Sequence, residues 1–117
     1  MVQKLRNGKA VGLDGIFNEV FKCGGVHYLC KLYQMVWTNE QFPLEWARGL
    51  IFPLFKGGPA DFRADPNKYR GITLLSIVGK TYTAILNNRL SKYCENQGIF
   101  VEEQAGFRKG RSTVDQF

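Results

Sequence analysis

Two short apolar runs, GLIFPLFK at 49–56 and YRGITLLS at 69–76, stand on either side of a polar connector carrying Gly57, Gly58, Pro59 and Pro66. Runs of this length, rich in branched and aromatic residues and split by turn formers, specify an antiparallel β-hairpin. Lys56 ends the first run and Arg70 opens the second. Antiparallel pairing therefore brings two cations together that lie far apart along the chain. Two converging cations suit a triphosphate. Charges at strand ends are also commonly solvated and idle, so the pattern by itself leaves both readings open.

A two-stranded hairpin is marginal in water, so helices must cover it. Tyr28, Leu29, Leu32, Val36 and Trp37 recur at helical spacing through to about Gln41. A longer helix is expected from 77 to 96, started by Ser76 and closed by Gly98, with Val78, Tyr82, Ile85, Leu86, Leu90 and Tyr93 on one apolar face. Its polar face carries Lys80, Asn87, Asn88, Arg89 and Lys92. Trp37, Phe42 and Trp46 fall on or beside apolar stripes, which assigns them to a core. The expected fold class is α+β, mostly helical with one antiparallel β-hairpin.

Before the helices comes a basic stretch with Lys4, Arg6 and Lys9, then a glycine-rich turn and a short helix bearing Ile16, Val20 and Phe21. These cations either touch a phosphate backbone or form a solvated turn. Near the other end, QAGFRKGRST packs three cations, two glycines and one aromatic into ten residues. Such a segment lets the backbone approach a strand while Arg108, Lys109 and Arg111 reach phosphates and Phe107 packs or stacks. Ser112 or Thr113 would cap a following helix.

Sixteen Lys and Arg against ten Asp and Glu give a net charge of +6, which favours polyanionic partners. The odd count of three cysteines and the lack of a leading apolar segment predict a reducing compartment, intracellular and either nuclear or cytoplasmic. Cys23, His27 and Cys30, with Cys94, offer four zinc-ligand types, but their intervals do not match the usual closely spaced pairs. No apolar run approaches the roughly 20 residues that cross a bilayer, and no membrane partner is expected.

Four blocks, KAVGLDGIFNEVFK, FPLEWARGLIFPLFKGG, DPNKYRGITLLSIVGKTYTAILNNRL and EEQAGFRKGRSTVDQF, follow one another in an order that resembles the N-terminal, fingers part of a non-LTR (LINE-type) retrotransposon reverse transcriptase. The resemblance implies that residues 1–117 form a partial reverse transcriptase domain that contacts the incoming nucleotide and the template. It implies triphosphate contacts at Lys56 and Arg70, and template contacts at Gln104, Gly106, Phe107, Arg108, Lys109 and Arg111. In the family the metal-binding aspartates lie further downstream, in the palm. This sequence has no Asp-Asp pair, so Mg2+ is expected only in the complete polymerase and no metal or catalytic residue is assigned here. The implied partners are RNA template, DNA primer, deoxynucleotide and the missing palm, and the chain alone is expected to be inactive. A free-standing basic RNA- or DNA-binding module and a remnant without function are the alternatives. Two positions depart from the family: Val11 stands where proline is usual, and Lys68 where asparagine is.

Overall fold

The hairpin forms as its residues dictate. β1 (Gly49–Phe55) and β2 (Tyr69–Leu75) pair antiparallel, with Gly49 opposite Leu75 and Phe55 opposite Tyr69. The Lys56 amide extends the ladder by donating to the Lys68 carbonyl at 2.8 Å. These positions come from a computed structural model that describes residues 2–112 and 114.

Directly opposed residues share a face and faces alternate along each strand. The register therefore gathers Leu50, Phe52, Leu54, Ile72 and Leu74 on one face, with Lys56, Lys68 and Arg70 at its distal end. Pro53 faces Gly71. Counting back from the bonded Lys56–Lys68 pair, Pro53 falls on a non-bonded pair, so its nitrogen points outward, where the ladder needs no donor.

Cover for the hairpin was expected from the helices, and the structure corrects this. Ile51 and Phe52 are 69% and 56% exposed, one on each face of the ribbon. The reason lies in what the helices bury instead. Phe21, Leu29, Ile77 and Val78 form a core, against which Val2, Leu5, Ile16, Tyr33 and Trp46 pack. Their apolar stripes are used on one another.

The chain divides into two compact units between Tyr82 and Thr83. In the first, α1 (Asn18–Val20) runs through a wide turn kinked at Cys23 and Gly24 into α2 (Val26–Asn39), followed by the single turn of α3 (Leu44–Ala47). α2 starts and ends about two residues earlier than its periodicity suggests, because Glu40 adopts a left-handed conformation with φ 54°. Leu29, Tyr33 and Val36 face inward from α2, while Trp37 is 61% exposed, contrary to its expected place in the core. Tyr33, Phe42, Trp46 and Tyr82 form an aromatic cluster, with ring centroids between 5.2 and 6.3 Å apart. The Tyr33 hydroxyl donates to the Val78 carbonyl at 2.8 Å, and burial pushes its phenol up to about 12.

Gly12 is buried where the leading segment crosses the junction after β2. A Cβ there would stand 2.6 Å from the Leu75 carbonyl carbon and 2.7 Å from the Ser76 nitrogen. At that junction α4 (Ile77–Asn96) begins, and the Ser76 hydroxyl accepts from the Gly79 amide at 3.4 Å.

The end of α4 belongs to the second unit. Gly98 takes φ 61°, its amide donates to Glu95 and the Ile99 amide donates to Cys94, which satisfies the last carbonyls as the sequence leads one to expect. The apolar face of the helix is used unevenly. Val78 and Tyr82 are buried, whereas Leu90 and Tyr93 are exposed. Among the described residues no three His, Cys, Asp or Glu side chains gather as a metal site would require, so the cysteines and His27 form no zinc site there. No helix among them is long and apolar enough to cross a membrane.

Candidate nucleic-acid interface

The connector between the strands folds into two short 3-10 turns, Ala60–Ala64 and Pro66–Lys68. One Asp65 carboxylate oxygen accepts from the Asn67 amide at 2.9 Å and from its side chain at 3.0 Å. The Tyr69 hydroxyl donates to the Arg63 carbonyl at 3.0 Å, and the Lys68 ammonium lies 4.6 Å from the centre of the Phe62 ring. The amide that pins this loop is that of Asn67, the neighbour of Lys68.

This loop sets the three tip cations in different states. The Lys56 ammonium donates to the Asn67 carbonyl at 2.7 Å. Lys68 rests on Phe62. Arg70, opposite Leu54, is exposed, and its guanidinium makes no hydrogen bond or ion pair among the described residues. Lys56 and Arg70 are diagonal neighbours on one face, as hairpin pairing predicts. Asp65 is spent on Asn67 and does not neutralise the arginine.

In the second unit the cations expected on a template strand divide into two kinds. Arg108 is turned inward: its side chain is only 9% exposed and meets both Glu95 carboxylate oxygens at 2.9 Å. Its guanidinium also donates to the Val101 and Gln104 carbonyls at 3.0 and 3.4 Å, and lies 5.3 Å from the centre of the Phe100 ring. A planar fork that matches a carboxylate so closely holds the loop rather than presenting charge. Where the sequence placed Arg108 against a template phosphate, the structure shows its guanidinium engaged within the loop. Arg111 pairs with the exposed Glu102, a surface contact that solvent or a phosphate can replace.

Gln104 donates to the Gly106 carbonyl at 3.1 Å within the same loop, and Ala105 beside them is buried. Phe107 sits at φ 63° with its ring fully in solvent. A non-glycine residue in the left-handed region carries strain that the surrounding structure must hold. Phe107 and Lys109 border an open groove of about 690 Å³ with Asn87, Asn88, Ser91 and Lys92 of α4. Thr113, one of the expected caps, lies outside the described residues. The Ser112 hydroxyl accepts from the Val114 amide. Sequence reasoning missed Glu95 and Phe100, because nothing local in the chain pairs them with Arg108.

The Arg108 hydrogen bond holds the Glu95 carboxyl below the usual carboxylate range. A carboxylate depressed in the folded state stabilises above its ordinary range, and that stabilisation is lost as pH falls through the folded value. Glu95→Gln is expected to lower amide-exchange protection factors over residues 99–108 at neutral pH, and the wild-type protection factors to fall towards the variant's on acidification. Equal protection in both proteins at neutral pH would show that the pair does not hold the loop.

No family model matches the chain. Over 118 aligned residues, 98% of the chain, it is 31% identical to a probable RNA-directed DNA polymerase from transposon BS of Drosophila melanogaster. It is equally identical over 119 residues to the probable RNA-directed DNA polymerase from transposon X-element of the same fly. The chain thus matches a short stretch of non-LTR retrotransposon reverse transcriptases. A further relative in this family, a putative 115 kDa protein in a type-1 retrotransposable element of Drosophila melanogaster, is 32% identical over 117 residues. The chain spans 13% of the length of each of the two polymerases and 11% of the third relative. The reverse transcriptase match covers both the hairpin and the 104–111 loop. Among the described residues no cluster of His, Cys, Asp or Glu fits the magnesium that polymerisation in this family implies.

Proposed function

We propose that this chain supplies incoming-nucleotide and template contacts to an RNA-directed DNA polymerase, as part of its fingers region. The observation that carries the proposal is the register of the hairpin, which sets Lys56, Lys68 and Arg70 at one end of one face. Arg70 is the strongest candidate of the three because its guanidinium is exposed and uncommitted among the described residues. Charge-assisted, forked contacts of that kind suit a triphosphate.

The groove beside Phe107 and Lys109 is assigned to a single strand, template RNA in the working enzyme, with the exposed ring as a stacking surface. Leu90, Tyr93, Ile99 and Val101 leave apolar surface exposed in the second unit, which fits docking of the remaining polymerase. DNA primer and deoxynucleotide are the other partners of the assembled enzyme, which acts in the nucleus or cytoplasm.

The test joins this chain to a palm from a closely related element and measures nucleotide dependence and primer-template affinity for Arg70→Ala. A rise in nucleotide KM with unchanged primer-template affinity supports the reading, and the reverse pattern sinks it. On the strand side, Phe107→Ala in the chain itself should weaken single-stranded RNA binding about 10-fold or more, since base–aromatic stacking is worth roughly 1–3 kcal/mol. Fluorescence anisotropy with a labelled RNA reads the effect. Unchanged affinity would remove the groove from the strand's path.

A further inference from the structure

The single turn of α3 borders a concavity of about 360 Å³ that lies within the first unit. Its walls are apolar. Leu13 and Ile16 come from the leading segment, Leu32 from α2, Trp46 from α3 and Val78 from α4. These walls are held in place without a ligand. A Cβ on Gly79 would stand 2.6 Å from the Trp46 Cβ, so α3 rests on α4 as closely as a glycine permits. The Trp46 indole meets Tyr33 and Phe42 edge-on, with centroids 6.0 and 5.5 Å apart. Val78 is buried, and its carbonyl accepts from the Tyr33 hydroxyl. A preformed apolar concavity with a few polar groups is what small-molecule sites share, and its rigidity spares a ligand the cost of ordering it.

Charge reaches this pocket only from exposed lining residues, Asp14, Glu45 and Arg48. One Asp14 carboxylate oxygen accepts from the Ile16 amide at 3.2 Å, so that group is partly engaged by its own turn. Glu45 and Arg48 stand three positions apart, a spacing at which opposite charges on a helical turn can pair. They form no ion pair here, with each other or with another described residue. The pocket therefore offers one uncommitted anion and one uncommitted cation beside walls that take an apolar body. A molecule that meets all three carries an ammonium and a carboxylate close together on an apolar group. We propose that this pocket binds a free α-amino acid with a large apolar side chain. Its ammonium meets Glu45, its carboxylate meets Arg48, and its side chain packs against Trp46 and Leu32. No residue of the hairpin tip or of the 104–111 loop lines the pocket, so the site stands or falls independently of the nucleotide and strand contacts proposed above.

The experiment uses the whole chain, isotope-labelled, with three probes on one skeleton: phenylalanine, phenethylamine, which lacks the carboxylate, and 3-phenylpropionate, which lacks the ammonium. Phenylalanine is expected to move the amide resonances of residues 13–16 and 44–48. It should bind about 2- to 5-fold more tightly than either other probe, the range that one exposed charge contact supplies. Glu45→Gln should erase its advantage over 3-phenylpropionate, and Arg48→Gln its advantage over phenethylamine. Leu32→Trp, at an exposed position of α2 that lines the pocket, should fill it and abolish the shifts, with the rest of the amide spectrum reporting that the variant is folded. Glu103→Gln, which removes an exposed charge outside the pocket, should change nothing. If all three probes bind alike, the pocket takes an apolar anchor without reading charge, as a docked protein segment would supply, and the proposal falls. It is also overturned if phenylalanine leaves those resonances unmoved, if folded Leu32→Trp binds like wild type, or if Glu103→Gln loses as much as Glu45→Gln.

Discussion

Arg70→Ala, placed in a polymerase that joins this chain to a competent palm, is expected to cut the efficiency of nucleotide use by on the order of 10- to 100-fold. A charge-assisted hydrogen bond is typically worth roughly 1.5–3 kcal/mol, and the substitution removes a forked donor that nothing else in the hairpin replaces. Lys56→Ala should act in the same direction with a smaller effect. Its ammonium already donates to the Asn67 carbonyl, so part of what it offers a triphosphate is withdrawn from that bond. Lys68, resting on Phe62, is committed in a similar way. Steady-state kinetics with varied deoxynucleotide, and a separate measurement of primer-template affinity, distinguish the outcomes. If both alanine variants lose equally, the geometry has not ranked the cations correctly. If template affinity falls instead, the tip contacts the strand and not the nucleotide.

Gly12→Ala is expected to destabilise the chain by about 3 kcal/mol and to lower its Tm on the order of 10 °C. The argument is steric. The added methyl would meet the Leu75 carbonyl group and the Ser76 nitrogen at 2.6 to 2.7 Å, and these are backbone atoms at the joint between β2 and α4. They cannot swing aside as the end of a side chain does. Relief requires the leading segment to lift from the joint, and the partly buried Leu5 and Ile16 on either side of Gly12 would lose packing against the core. Gly8→Ala is a useful contrast, because open space surrounds the added methyl there and only the left-handed backbone at φ 64° is penalised. Calorimetry on both variants checks the ranking. An unchanged Tm for Gly12→Ala would mean that the joint is loosely packed.

What could be read from the chain was what local chemistry decides. The hairpin follows from two apolar runs and their turn formers, and once antiparallel pairing is granted, the shared face of Lys56 and Arg70 follows from a period of two. Both ends of α4 follow from Ser76 and Gly98, whose roles need only their nearest neighbours. What could not be read depended on partners chosen in three dimensions. Arg108 looks like any other cation in a basic, glycine-bearing loop until Glu95, thirteen positions earlier, is brought against it. Trp37 carries the same apolar label as Leu29, and only the packing of α2 decides which of them meets the core. The bare hairpin is a failure of the same kind. The cover expected for it does not form among the described residues, because the helical stripes meet one another instead.

The position of Pro53 makes the two rims of that ribbon unequal. Along the outer rim of β1 the amides that point away from the partner strand are those of Gly49, Ile51 and Phe55, and Pro53, between the last two, has none. Along the outer rim of β2 the amides of Gly71, Thr73 and Leu75 form an unbroken row, while that of Tyr69 already donates to the Pro66 carbonyl. A strand from another molecule thus finds three consecutive open amides on one side and an interrupted row on the other, so a third strand is expected to extend this sheet beside β2.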